Sequence, residues 1–233
     1  VLEISVVEQK TGTFSIGGGY SDSDGLIGII TVGDKNLRGS GDSVTVHWEF
    51  GGDASTAGNY SVSYQRPWID SKRTSLGFTL YNMTNEYTDY DTGGNTISTY
   101  DRRYQGFDVT LGRPVNDQIT HFVTLKHRWD KYIGYVSDTN YETDPRYAPN
   151  YIGDNFGLTR SIILSRVYDS RDSNTNPSEG VRYSLSAEIA GLGDDFNFNK
   201  YTAESRHYWK VGKSQVLAGR VTWGYGTGHI PYM

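Results

Sequence analysis

Strict two-residue alternation is the feature that most limits what this chain can become. From 181 to 189, Val181, Tyr183, Leu185, Ala187 and Ile189 fall on one face, and Arg182, Ser184, Ser186 and Glu188 on the other. Successive strand side chains point to opposite faces, so this pattern calls for a sheet with one apolar side. In 44–50, Val44, Val46, Trp48 and Phe50 oppose Thr45, His47 and Glu49. In 200–211, Tyr201, Ala203, Trp209 and Val211 oppose Lys200, Thr202, Glu204, Arg206 and Lys210. In 216–225, Leu217, Val221, Trp223 and Tyr225 oppose Ala218, Arg220, Thr222 and Gly224. No helical periodicity competes. The pattern predicts an all-β, antiparallel fold of about eleven strands, over 12–21, 25–34, 43–51, 59–68, 75–86, 99–112, 118–131, 156–170, 180–190, 199–211 and 215–226.

Many of these segments exceed the roughly 5–6 residues of soluble strands and reach the roughly 9–11 needed to cross a bilayer at a tilt. Mean hydropathy is only -0.58, which is what alternation produces when half the positions face water. The 19 Tyr and 28 Gly suit a membrane barrel but also a soluble sandwich, so composition does not separate the two. The connections do. Those near 35–42, 69–74, 113–117 and 212–214 are short; those at 52–58, 87–98, 132–155 and 191–198 are longer and polar. The turn at 22–25 and the 171–179 connection are exceptions. Short turns at one end and long loops at the other mark an outer-membrane barrel, with apolar faces toward lipid and charged faces toward the lumen.

The chain has no Cys, which removes disulfides and thiolate chemistry. A net charge of -5 argues against a nucleic-acid partner. The five His show no metal spacing, and no nucleophile elbow or phosphate loop occurs. No catalytic residues, metal or cofactor are expected. Asp22-Ser23-Asp24-Gly25 begins like a calcium loop but lacks the remaining ligand spacing, so a glycine-ended turn is the reading. Asp169, Arg171 and Asp172 could form an ion-pair cluster or serve turn chemistry. Inward Arg182, Glu188, Glu204, Arg206 and Arg220 are expected to line a solvated lumen. Trp48, Trp68, Trp129, Trp209 and Trp223 are candidates for interfacial aromatic belts.

Several stretches resemble one family. They are GTFSIGGGYSDSDG at 12–25, GIITVGDKNLRGSGDSV at 28–44, YQRPWIDSKRTSLG at 64–77, YDSRDSNTNPSEGVRY at 168–183 and WGYGTGHIPYM at 223–233. In order and spacing they are similar to the BamA-type insertases and related polypeptide-transport barrels of outer membranes. The resemblance implies a sixteen-stranded barrel. It makes residues 1–9, with a strand at 2–7, the end of a last periplasmic POTRA domain, and 10–233 the N-terminal part of the barrel, ending in its sixth outer loop. The family's Val-Arg-Gly-Phe/Tyr motif and its closing strands are absent, so the chain is expected to be part of a larger closed assembly.

The resemblance further implies a lateral seam at the first strand, formed by Thr13, Phe14, Ser15, Ile16, Gly17, Gly18, Gly19 and Tyr20. Glycine weakens a strand through backbone entropy and missing packing, so the triplet suits a seam that opens for a client strand. A barrel kink or close packing is the plainer reading. Implied partners are membrane lipid and lipopolysaccharide, unfolded outer-membrane clients, and periplasmic accessory lipoproteins or chaperones. A polypeptide secretion pore of the same superfamily is the alternative; a passive porin or soluble glycan-binding protein stands further off.

Overall fold

The computed structural model describes residues 9–21, 25–52 and 58–231. The expected strand at 2–7 and the Asp22–Asp24 turn lie outside these residues. Among the described residues eleven strands form one sheet in sequence order, every neighbouring pair antiparallel. They are β1 Gly12–Ser21, β2 Gly25–Asp34, β3 Ser43–Gly51, β4 Asn59–Arg66, β5 Ser75–Tyr90, β6 Thr96–Pro114, β7 Ile119–Asp138, β8 Leu158–Asp169, β9 Gly180–Ala190, β10 Phe198–Lys210 and β11 Val216–Gly228. No helix is long and apolar enough to cross a membrane among the described residues.

The register carries each apolar set onto one continuous outer face. Ile16, Ile30, Trp48 and Tyr60 form one row across β1–β4; Leu80, Phe107 and His127 form another across β5–β7. These side chains stay exposed, Ile16 at 67% and Leu80 at 39%. A face this apolar and this open fits lipid as its solvent. The inner face carries Ser, Thr, Gly and charged residues. At the turn end, β8 and β9 are joined by 170–179, where Asp172 accepts from Ser178 Oγ at 2.5 Å, Ser178 N at 2.8 Å and Glu179 N at 3.2 Å. Asp172 thus serves turn chemistry, while Asp169 pairs with Arg171 (2.7 Å).

The loop end departs from the sequence reading. β5, β6 and β7 run to Tyr90, Thr96 and Asp138, so the expected 87–98 loop shrinks to a turn in which Asp91 accepts from Gly93 N and Asn95 N. Residues 139–157, including one helical turn α1 (Tyr151–Asn155), fold back onto these strand extensions. Tyr100, Tyr141 and Phe156 form a buried cluster with Tyr87, Tyr132, Tyr147 and Tyr151 packed around it. Beneath it, Arg102 and Asp130, 1% and 2% exposed, form an ion pair at 2.7 Å. Arg128 adds a second pair to Asp130 at 2.8 Å, and the Arg102 guanidinium lies over the Phe156 and Tyr87 rings. Tyr141 donates to Asp89 Oδ2 at 2.8 Å; burial first, then this bond, pushes its phenol well above the usual range.

Two outcomes test this architecture. Arg102→Ala strands Asp130 with one partner and removes the cation under Phe156, a loss of roughly 3 kcal/mol for a broken buried pair. The 139–157 segment should then be cut by protease at least tenfold faster while the strands stay folded; unchanged cleavage would show that the pair does not hold the cap. The Ser178 hydroxyl, then the Ser178 and Glu179 amides, draw the Asp172 carboxyl from 3.8 down to about 2. A lowered folded value means a contribution fully present above about pH 4 and lost between about pH 4 and 2. The melting-temperature gap between wild type and Asp172→Asn should therefore be constant at neutral pH and close across that window.

Candidate functional site at the free strand edge and luminal wall

Among the described residues, β1 pairs with β2 on one side and with nothing on the other. Antiparallel strands aim alternate backbone groups to either side, so about half of its ten residues aim N–H and C=O groups away from β2, as β11 does away from β10. Phe14, Ile16 and Tyr20 lie on the outer face at 68%, 67% and 75% exposure, with Gly18 between them. Thr13, Ser15, Gly17 and Gly19 face inward.

The foot of the strand is pinned: Thr11 Oγ1 donates to Asp34 Oδ1 at 2.6 Å, and Thr13 Oγ1 reaches Gly33 O at 3.4 Å. From Ser15 to Tyr20 no side-chain hydrogen bond joins β1 to β2 among the described residues.

Among the described residues the glycines of the 17–19 triplet answer to no steric demand. A Cβ at Gly17 or Gly19 would meet nothing within 4 Å, and at Gly18 only Ile27 O at 3.5 Å. Among the described residues close packing, one of the two plainer readings of the triplet beside a barrel kink, has no neighbour to act through there. It does describe Gly28, where a Cβ would fall 2.5 Å from the Phe50 ring.

On the inner face of β8–β11 the predicted charges come together, with one exception. Glu204 receives Arg206 Nε at 2.6 Å, Arg220 at 2.5 Å and Arg182 at 3.6 Å. Arg182 also approaches Asp169 at 3.8 Å, so a single ionic chain spans four strands. Glu188 stands apart, accepting from Ser161 Oγ at 2.7 Å and Lys126 Nζ at 3.3 Å. These groups share the polar face of the sheet and brace it as a network in which Glu204 keeps only 11% of its side chain exposed. Beyond β11, His229 bonds Asp154 O at 2.6 Å, tying the strand's exit to the cap.

The tryptophans divide by height. Trp48 lies near the loop end of β3, Trp129 in the middle of β7 beside the first residue of β8, Trp68 in the β4–β5 turn, and Trp209 is next to last in β10. Trp223 is mid-strand in β11. All five side chains are exposed, from 45% to 65%.

Sequence reasoning missed Arg102, Asp130 and the aromatic cap. The signal was there in Tyr132, Tyr135, Tyr141, Tyr147, Tyr151 and Phe156, an aromatic density foreign to a solvated loop.

Residues 36–231 match the Omp85 superfamily domain. The outer membrane protein assembly factor BamA of Nitratidesulfovibrio vulgaris is 27% identical over 238 residues, covering 99% of this chain and 27% of that protein. The chloroplastic outer envelope protein 80 of Oryza sativa subsp. japonica is 25% identical over 234 residues, covering 93% of this chain and 33% of that protein. The chain therefore spans about a quarter to a third of these relatives. BamA from Haemophilus ducreyi lacking POTRA domains 1–3 superimposes with a TM-score of 0.67 over 95% of this chain and 42% of that one, at 18% identity, a likeness of fold. The apolar outer face, the ordered antiparallel ladder and the family match converge: the chain belongs to the Omp85 superfamily, as a stretch of one of its outer-membrane β-barrels.

Proposed function

We propose that this stretch is the leading part of an insertase barrel, which folds client β-barrel proteins and releases them into the outer membrane through a seam at β1. The observation that carries this is the contrast between the two flanks of the sheet. β8–β11 are cross-braced by the Asp169–Arg182–Glu204–Arg206/Arg220 chain, whereas β1 from Ser15 to Tyr20 is held by its backbone ladder with β2. An open edge is a template for an incoming strand, which adds by β-augmentation. Glycines at 17–19 keep that edge weak, so a pairing made there can be exchanged.

The name borne by the BamA relatives, outer membrane protein assembly factor, points the same way. The partners this implies are unfolded client barrels, accessory lipoproteins or chaperones, and the surrounding lipid and lipopolysaccharide. Under the same reading residues 1–9 end a POTRA domain, and Trp48 and Trp129 anchor one interface while Trp68 and Trp209 anchor the other.

Replacing Gly17 and Gly19 with Val in the intact protein tests the proposal. Both side chains enter open space, and each exchange stiffens β1 by roughly 0.5–1 kcal/mol. The variant should assemble normally yet insert clients into liposomes about tenfold more slowly. Gly28→Val, which clashes with Phe50, should instead impair folding of the barrel itself. Wild-type insertion by the double variant would overturn the seam at β1.

A further inference from the structure

The apolar outer face is interrupted by one basic row. Arg113, His121 and Arg166 stand side by side on β6, β7 and β8, register partners in sequence. All three are exposed; His121 and Arg166 make no hydrogen bond or ion pair among the described residues, and Arg113 stands in the field of the Asp70 carboxylate. On the inner face Arg182, Arg206 and Arg220 are all paired.

Arg113 is next to last in β6, His121 third in β7, and Arg166 fourth from the end of β8. At about 3.3 Å per residue all three lie within roughly 10 Å of the turn ends of their strands, the depth of lipid headgroups. Arginines placed there reach the interface with their heads while their stems stay in hydrocarbon.

The same row continues through Leu185, Ala203 and Trp223, and here it leaves the strand ends for the middle of β10 and β11. The row above it brings Leu164, Ala187 and Tyr201 alongside. Because Ala187 and Ala203 are small, a hollow of about 520 Å³ opens between the larger neighbours, with His121 and Arg166 at its foot. That volume is ordinary for a small-molecule site. A basic foot at headgroup depth opens into an apolar hollow that runs toward mid-membrane.

We propose that this hollow is a binding site for an anionic glycerophospholipid of the leaflet at the turn end of the barrel. The phosphate is held by Arg166, with His121 and Arg113 beside it, and an acyl chain lies over Ala187 and Ala203. Arginine suits this task because its guanidinium donates two parallel hydrogen bonds to phosphate oxygens. Two features argue for lipid over a free phosphate or a protein partner: the guanidinium groups of Arg166 and Arg113 match an anionic headgroup, and the apolar length of the hollow gives a phosphate alone nothing to contact. The site lies on β6–β11, away from β1, and rests on the membrane barrel alone, so failure of the insertase reading would leave it standing.

Native mass spectrometry of the intact protein, released from nanodiscs of mixed phosphatidylglycerol and phosphatidylcholine, tests it. Wild type should retain phosphatidylglycerol in preference to phosphatidylcholine, and added inorganic phosphate should not displace it. Each of Arg166→Gln and Arg113→Gln should lower retention about fivefold, the worth of one cation near a membrane surface. Ala187→Phe, which fills the hollow and leaves every charge in place, should lower it as well. Circular dichroism and heat-modifiable migration confirm that each variant is folded. Three outcomes would each overturn the proposal: equal retention of the two lipids, retention unchanged in Arg166→Gln and Ala187→Phe, or displacement by phosphate.

Discussion

Every backbone N–H and C=O in a bilayer must find a partner within protein, because hydrocarbon offers none and each orphan costs several kcal/mol. The rest of this structure follows from that demand. Strands satisfy it only sideways, so the ladder of eleven strands in sequence order is as much a requirement of the solvent as a choice of the sequence. Once the ladder is set, alternation sorts side chains without further instruction. Apolar residues go to lipid, polar ones inward, and cohesion passes from a packed core to hydrogen bonds and ion pairs. The same demand bears on both outer strands of the sheet: among the described residues β1 and β11 each carry a row of backbone groups that must be matched before they can remain in hydrocarbon.

The two ends of the sheet meet this demand with different firmness. On β8–β11 the ladder is reinforced by a chain of carboxylates and guanidinium groups, and the exit of β11 is tied to the cap through His229 and Asp154. On β1 the reinforcement stops at Thr11 and Thr13. At the loop end a third arrangement operates, a small dry core of tyrosines over a buried ion pair. Charges are costly to bury, and breaking such a pair costs more than making it gains. Arg102 and Asp130 therefore serve to fix one position of the 139–157 segment, with Arg128 and the Phe156 ring holding the geometry. Capped loop end, braced β8–β11 wall and lightly held leading strand are three different ways of holding one ladder.

Much of this was legible in the sequence. Alternation in 181–189 and 200–211 placed the lipid and lumen faces, and the boundaries of β1, β2, β3 and β9 coincide with expectation because turn residues and alternation end together there. The upper limits of β5, β6 and β7 were not legible. Their extensions are rich in Thr, Asn, Asp and Tyr, which read as loop until the aromatic cap shows what they pack against. Nor was the ionic chain: single-sequence reading puts Arg182 and Glu204 on the same face, but register alone decides that their side chains meet. The role of Gly17, Gly18 and Gly19 needed coordinates in another sense. A glycine triplet in a strand is either forced by neighbours or free of them, and the contrast with Gly28 distinguishes the two.

The idea that β1 offers its edge to a client can be examined directly by cysteine crosslinking during assembly. Single cysteines would be placed at Ser15 and, as a control inside the ladder, at Thr79 of β5 in the intact protein. Each would be combined with cysteines along the terminal strand of a client arrested during insertion. Edge pairing predicts disulfides from position 15 to alternate client residues in an antiparallel register, and none from position 79. Crosslinks as abundant from position 79, or none from position 15 while insertion proceeds, would contradict it.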